Sequence, residues 1–384
     1  MADENQNRNY SKDQFEPYDI TGQKSEEISR PQLSYWQDAW IRIRKNKGAI
    51  LGIIILLFVG LMSIFGPFFN DYSFKEQHKE RTNLPPRVQG LEGVSWLPLS
   101  GTQTEVLEGE SVEALEEKAL YVFEAEPENI ESRVINEASG DKLAKVEFKH
   151  DVYATNGVEE HYFWFGTDQL GRDLWTRVWT GTRISLYIAI LAAVIDMIIG
   201  VAYGGISAYY GGRVDNYMQR VVEILVGIPN LVVVILMILV LEPGIASITL
   251  ALTITGWVGM SRIVRGNILK LKNQEFVLAS RTLGASDSRI LMKHLIPNVT
   301  GLIIINTMFT IPQAIFFEAF LSYIGLGLQP PLASLGTLID DAFKSFQIYP
   351  YMLWFPSIVI SLIMIAFNIV ADGLRDALDP KMRD

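Results

Sequence analysis

The 384 residues include no cysteine. That excludes disulfides, thiolate zinc sites, iron–sulfur clusters and cysteine nucleophiles. Histidine is nearly as scarce, and His78, His150, His161 and His294 are too scattered to suggest a metal site. No G-x-x-x-x-G-K-[ST] stretch occurs, so the chain has no phosphate-binding loop of that kind with which to hydrolyse ATP. Carboxylates do not pair at a spacing that suggests acid–base work, and no Ser-His-Asp arrangement is visible. The sequence is therefore read as a non-enzyme.

What is present is apolar and clustered. Hydrophobic residues make up 49% of the chain, and mean hydropathy is +0.20 although 20% of residues are charged. The formal charge of −10 has one location. Residues 87–161 hold 17 acidic side chains against six basic ones, a net of −11, which leaves +1 for everything else. A nearly neutral membrane body thus carries an acidic hydrophilic insert. No nucleic-acid partner is expected.

Residues 1–33 are polar and predict a disordered tail. Over 34–48 the pattern changes. Leu33, Trp36, Ala39, Trp40 and Ile43 recur at helical spacing, followed by Arg42, Arg44, Lys45 and Lys47. That is a basic amphipathic helix on a lipid surface. Residues 49–69 then run without a charge, long enough to cross roughly 30 Å of hydrocarbon. Further runs at 184–203, 221–241, 302–324 and 352–370 read as spans. A shorter one at 244–260, entered by a Glu242-Pro243-Gly244 turn, makes six. The fold class expected is all-α transmembrane.

Orientation follows from basic residues in short loops. With the N-terminus inside, the inner segments collect the Lys and Arg of 42–47, 262–293 and 375–383, and the short outer ones hold Lys344 alone. Both termini then face the cytoplasm, and 70–183 is one extracytoplasmic segment. Within it, 112–120 reads as helix, and 119–124 and 144–155 as strands. A small α+β lobe and a loosely ordered acidic loop both remain open. Residues 173–182, with Leu174, Trp175, Val178 and Trp179 on one face, read as a separate helix lying on the outer surface.

Ionisable and amide side chains inside spans are costly, about 2.5–3.5 kcal/mol per charge at a helix centre, and are functional candidates for that reason. Asp196 lies mid-span in 184–203, with Glu223 and Asn230 in the next run. Asn306, Thr307, Thr310, Gln313 and Glu318 share 302–324, and Asn368 and Asp372 lie near the end of the last span. Asp196, Asn306, Thr310, Gln313 and Glu318 are the candidates for a polar translocation path. Hydrogen bonding between helices is the competing reading.

The loop 261–298 is the other candidate. Residues 274–283 begin with an acid, contain good helix formers and end near Arg281. Gly284 stands where a chain leaving a helix needs positive φ. Ser286 is placed to cap a second helix over 287–295, with Pro297 as its stop. Ala279 and Ser280 are small enough to admit a partner's backbone. An ordinary connecting helix pair is the alternative to a docking element.

Glu275-Phe-Val-Leu-Ala-Ser-Arg-Thr-Leu-Gly284-Ala-Ser, followed by His294-Leu-Ile-Pro297-Asn298, resembles the ATPase-coupling loop of importer-type ABC permeases. Leu278 and Ser280 depart from the usual Glu and Ala. Phe165-Gly-Thr-Asp-Gln-Leu-Gly-Arg-Asp173, Glu318-Ala-Phe-Leu-Ser-Tyr-Ile-Gly-Leu-Gly327 and Asp372-Gly-Leu-Arg-Asp-Ala-Leu-Asp-Pro380 are similar to segments of oligopeptide and dipeptide permeases, specifically the C-type subunit. The resemblance covers 34–86 and 162–384 and leaves 87–161 outside it.

It implies a six-helix type I importer permease in a bacterial plasma membrane. Its implied partners are a homologous B-type permease, two cytoplasmic ATPase subunits and an extracytoplasmic peptide-binding lipoprotein. No cofactor is bound by this chain; ATP and Mg are used by the ATPases. Gln274, Glu275, Phe276, Leu278, Ala279, Ser280 and Gly284 would carry the coupling. A nickel or other small-solute permease shares these motifs, and a membrane sensor with a ligand-binding lobe is the reading from another class.

Overall fold

The computed structural model describes residues 35–94, 98–123, 125–138 and 143–378. The tail expected over 1–33 lies outside them. Helix α1 (Tyr35–Lys45) carries Arg42, Arg44 and Lys45 in its last turn. Asn46 then restarts the chain: its Oδ1 accepts from the Ala49 N–H and caps α2 (Lys47–Phe65). Most of α2 is exposed and apolar, as a helix facing lipid must be.

The insert folds around its own core. Strands β1 (Thr102–Gly109), β2 (Ile130–Asn136) and β3 (Ala144–Asp151) form an antiparallel sheet in the order β1-β3-β2. Helix α3 (Val112–Phe123) lays Leu115 and Ala119 on Val146 and Phe148 of the central strand. The lobe is therefore α+β. Residues 119–124, expected as a strand, instead lie largely within α3, because Leu115 and Ala119 recur at a spacing of four and share its buried face. The lobe is tied down by Arg87, whose guanidinium sits 4.9 Å and 5.0 Å from the ring centres of Tyr153 and Tyr162. Tyr153, in the short helix α4 (Val152–Thr155) that follows β3, also donates to the Pro85 carbonyl at 2.8 Å.

A turn rebuilt from the Phe165–Asp173 motif returns the chain to the bundle. Asp168 accepts from the Leu170 and Arg172 N–H groups and from Arg172 Nε at 2.7 Å. Asp173 accepts from the Thr176 N–H and caps α5 (Leu174–Tyr210). Burial pushes the Asp173 carboxyl above its ordinary range, against hydrogen bonds from Thr176 and Asn70 that pull it down.

Helix α5 is unbroken for 37 residues, about 55 Å at 1.5 Å per residue. The separate surface helix expected over 173–182 is its first turns. Leu174, Val178 and Trp179 are buried in the molecule, and Trp175 donates to the Gly66 carbonyl at 2.8 Å. The tryptophans pack inward because 66–72 and Phe165 cover them.

Helices α6 (Gly212–Gly227) and α7 (Asn230–Leu241) correct the span expected at 221–241. They are bent by 83° at a break. Pro229 has no N–H to continue the helix, and it holds Ile228 extended at φ −91°, ψ 126°. Five other helical stretches among the described residues are long and apolar enough to cross a membrane, and the bent pair is the sixth only if counted as one span. Helix α8 (Ile245–Leu271) packs along α5. At Gly204 a Cβ would collide with the Ser261 carbonyl, so glycine permits the close approach.

Beyond α8 come α9 (Glu275–Thr282), α10 (Asp287–Ile290) and α11 (Ile296–Leu321). Pro297 does not stop the second helix. A five-residue π segment, Leu291–Leu295, joins α10 to α11, and Pro297 falls in the first turn of α11, where a missing N–H costs little. Ser286 makes no side-chain cap; the polar anchor is Asp287, which accepts from Tyr209 Oη at 2.6 Å. Helices α12 (Leu335–Phe343) and α13 (Tyr351–Leu378) close the bundle.

Candidate functional site

Two features stand apart from the packed bundle. They adjoin different parts of α5, and both are open.

The first is a groove of about 260 Å³ that gathers four of the five residues expected on a polar path, together with Asn230. Asp196 from α5, Asn306, Thr310 and Gln313 from α11, and Asn230 at the start of α7 all line it. Asn230 opens α7 directly after the Pro229 break, and Thr255 Oγ1 donates to its Oδ1 at 2.7 Å. Asn306 Nδ2 reaches only the Met260 sulfur, at 3.7 Å, and Thr310 Oγ1 donates to the Asn306 carbonyl. Asp196 is 5% exposed, and its Oδ1 has no hydrogen-bond partner among the described residues. Its seat depends on Gly256 of α8, where a Cβ would overlap the carboxylate.

Glu318 does not join this groove. It is fully buried on α11 and accepts from Ser334 Oγ at 2.6 Å, Ser322 Oγ at 3.0 Å and Ser185 Oγ at 3.2 Å. Ser185 accepts in turn from the Leu335 N–H at 3.1 Å. Three elements are locked together here, so Glu318 is a structural tie between α5, α11 and the start of α12. Thr307 likewise turns away and is buried, its hydroxyl donating to the Ile303 carbonyl.

The second feature is α9, at the C-terminal end of α5. Val277 is its one buried side chain. Gln274, Glu275, Phe276, Leu278, Ala279 and Gly284 are exposed and Ser280 is half-buried. The helix ends in a left-handed turn: Gly284 has φ +80°, the Ala285 N–H donates to the Ser280 carbonyl, and the Gly284 N–H donates to the Arg281 carbonyl. Polar contacts hold this segment to the bundle. Asp287 receives Tyr209, Arg281 lies 5.7 Å from the Tyr209 ring, and Lys272 Nζ donates to the Ala208 carbonyl at 2.6 Å. Asp215 grips Arg265 with two bonds of 2.7 and 2.6 Å. The inner side of the segment is thus bonded to the bundle, and its outer face is bare.

Sequence reasoning named Asn230 among the in-span polar residues without assigning it to the path, and it missed Gly256 and the serines around Glu318. Gly227-Ile228-Pro229 was the available signal for Asn230. The others become visible only when helices distant in sequence are laid side by side.

The family models and the sequence relatives agree with one another. Residues 173–384 match the family described as binding-protein-dependent transport system inner membrane component, and 34–86 match the N-terminal transmembrane domain of oligopeptide transport permease C. The oligopeptide transport system permease protein OppC of Bacillus subtilis is 40% identical over 376 residues, covering 98% of this chain and 99% of that protein. The dipeptide transport system permease protein DppC of the same organism is 41% identical over 361 residues, covering 94% and 90%. Coverage of that extent includes the insert, which the sequence reading had left outside the resemblance. A chain from the MetNI methionine ABC transporter in inward-facing conformations aligns at TM-score 0.42 and 19% identity, covering 52% of this chain and 96% of its own.

Proposed function

The chain belongs to the inner membrane components of binding-protein-dependent transport systems, and from that premise we propose that it is one half of the path of an ATP-driven peptide importer. A homologous B-type permease supplies the other half, two ATPase subunits bind on the cytoplasmic side and use ATP and Mg, and an extracytoplasmic lipoprotein delivers peptide. Both termini and α9 lie in the cytoplasm in this reading, and the acidic insert lies outside, where it helps to seat the lipoprotein.

The observation that carries the proposal is α9. Its inner face is anchored through Val277, Tyr209 and Asp287, while Phe276 and Leu278 are left uncovered beside the small side chain of Ala279. An ATPase groove could close around such a helix, and its movement would reach the spans through Asp287–Tyr209 and Asp215–Arg265. Asp196, Asn306, Thr310 and Gln313 then line the path that opens and closes.

Uptake of labelled di- to pentapeptides by cells with and without this chain tests the proposal. Loss of peptide uptake on deletion, restored by the chain supplied in trans, is expected. Unchanged peptide uptake with lost nickel uptake would assign a metal permease instead.

A further inference from the structure

Asp196 is a carboxyl group kept inside a spanning helix with no cationic side chain paired to it among the described residues. Among the described residues no ion pair involves it, and its Oδ1 is buried without a partner. Ionising a buried carboxyl without a partner is strongly unfavourable, so a cation that arrives would supply the stabilisation the site lacks. The groove around it is furnished for more than a bare ion. Asn306, Gln313 and Asn230 each present an amide that both donates and accepts, the complement of a peptide bond. Next to it lies a second groove of about 350 Å³, lined by Phe309, Phe316 and Met364, which shares Gln313 and Phe317 with the first. A carboxyl group, amides and an apolar wall therefore lie side by side on neighbouring faces of α11, the carboxyl supplied by α5.

We infer that this run is a peptide-reading subsite within the membrane, in which Asp196 receives the α-ammonium of the substrate. The inference rests on the importer reading above. An α-ammonium is a compact charge with three N–H donors, enough for a carboxylate and a neighbouring amide at once. Gln313, at the junction of the two grooves, meets the first peptide bond, and the aromatic wall takes an apolar side chain. Gly256 is part of the device, because any side chain there would push the carboxylate off its seat. A lysine side chain offers the same ammonium chemistry, so the test separates the two sources.

The complete transporter is reconstituted in liposomes, and its lipoprotein is loaded to equal occupancy with Phe-Ala-Ala, N-acetyl-Phe-Ala-Ala or N-acetyl-Phe-Ala-Lys. The wild-type complex should import the free-amine peptide at least tenfold faster than either acetylated one. Asp196→Asn should bring all three within about twofold by slowing the free-amine peptide. Gly256→Ala, which keeps the charge but displaces it, should reduce the preference at least fivefold. Equal wild-type uptake of all three, or a tenfold preference that survives Asp196→Asn, would overturn the inference. So would dependence on Asp196 for the acetylated lysine peptide alone. If Asp196→Asn loses the partner permease during purification while the Gly256→Ala complex keeps the wild-type preference, the carboxylate serves subunit pairing and the inference fails. Absence of uptake of any peptide by the wild-type complex would sink the importer reading itself.

Discussion

Two buried carboxyl groups sit inside the spanning helices, Asp196 on α5 and Glu318 on α11, and their surroundings are opposites. Glu318 has three hydroxyl donors from three different elements and no exposure. Asp196 has a glycine against one side, a groove on the other and an oxygen with no partner. The first region is closed, and its polar atoms hold helices together. The second is open, and its polar atoms await something. The same contrast separates the buried inner face of α9 from its bare outer one. An in-span charge therefore does not announce its role; the number of donors aimed at it does.

The sharpest break of this comparison is at Glu318. Glu318→Leu strands three buried hydroxyls at roughly 1 kcal/mol or more each, so the purified complex should melt at a clearly lower temperature. A wild-type melting curve would mean the serine network holds nothing. On the open side, Ala279→Trp overfills a fitted contact at about 1–3 kcal/mol, and Gly284→Val places a β-branched residue at φ +80° at a similar cost. Both should leave the bundle folded yet shed the ATPase subunits on co-purification, or hydrolyse ATP without importing peptide. Retention of the ATPases with normal transport in both variants would remove α9 from the coupling path.

Asp196→Leu should do the reverse of Glu318→Leu: melting unchanged or raised, because an unanswered charge has gone, with transport impaired. Equal destabilisation by the two leucines would erase the distinction between the regions. Replacing 87–161 by a short linker should leave bundle stability intact and lower uptake only when the lipoprotein is limiting; undiminished uptake there would end the docking role of the insert.

The smallest effect is expected at His150 of β3. It stacks on Phe123 at 4.5 Å, its Nδ1 is buried without a partner among the described residues, and burial pulls its pKa below the ordinary 6.5. The unfolded lobe then binds more protons than the folded one, so its contribution is intact above about pH 6.5 and is lost as the pH falls below that value. Protection against hydrogen exchange over 102–151, corrected for the intrinsic pH dependence of exchange, should fall between pH 7 and 5.5. His150→Phe, which keeps the stack, should flatten that response, and a pH-independent wild-type profile would contradict it.

Much of this molecule was legible in its residues. Uncharged runs longer than a bilayer is thick can only be spans or buried helices, and the segregated acidity marked the insert. The positive φ at Gly284 followed from a helix that must end and turn. Local competition hid other parts. Trp175 and Trp179 looked interfacial because nothing in 173–182 tells that 66–72 and Phe165 come back to cover them. Pro297 looked like a stop because a π segment that shifts the helical register has no local sequence mark.

Composition and periodicity thus determined the membrane body, its helices and the separate lobe, since hydrophobic length and repeat are properties of the chain alone. Which polar residue meets which was decided only by tertiary structure. Asp196 and Gly256 are 60 positions apart, and Ser185 and Glu318 are 133 apart. Helices α5, α8 and α11 bring such residues to within one or two atoms of each other. Side-chain desolvation acts at that range, so only the packing could make one carboxylate a tie and leave the other open.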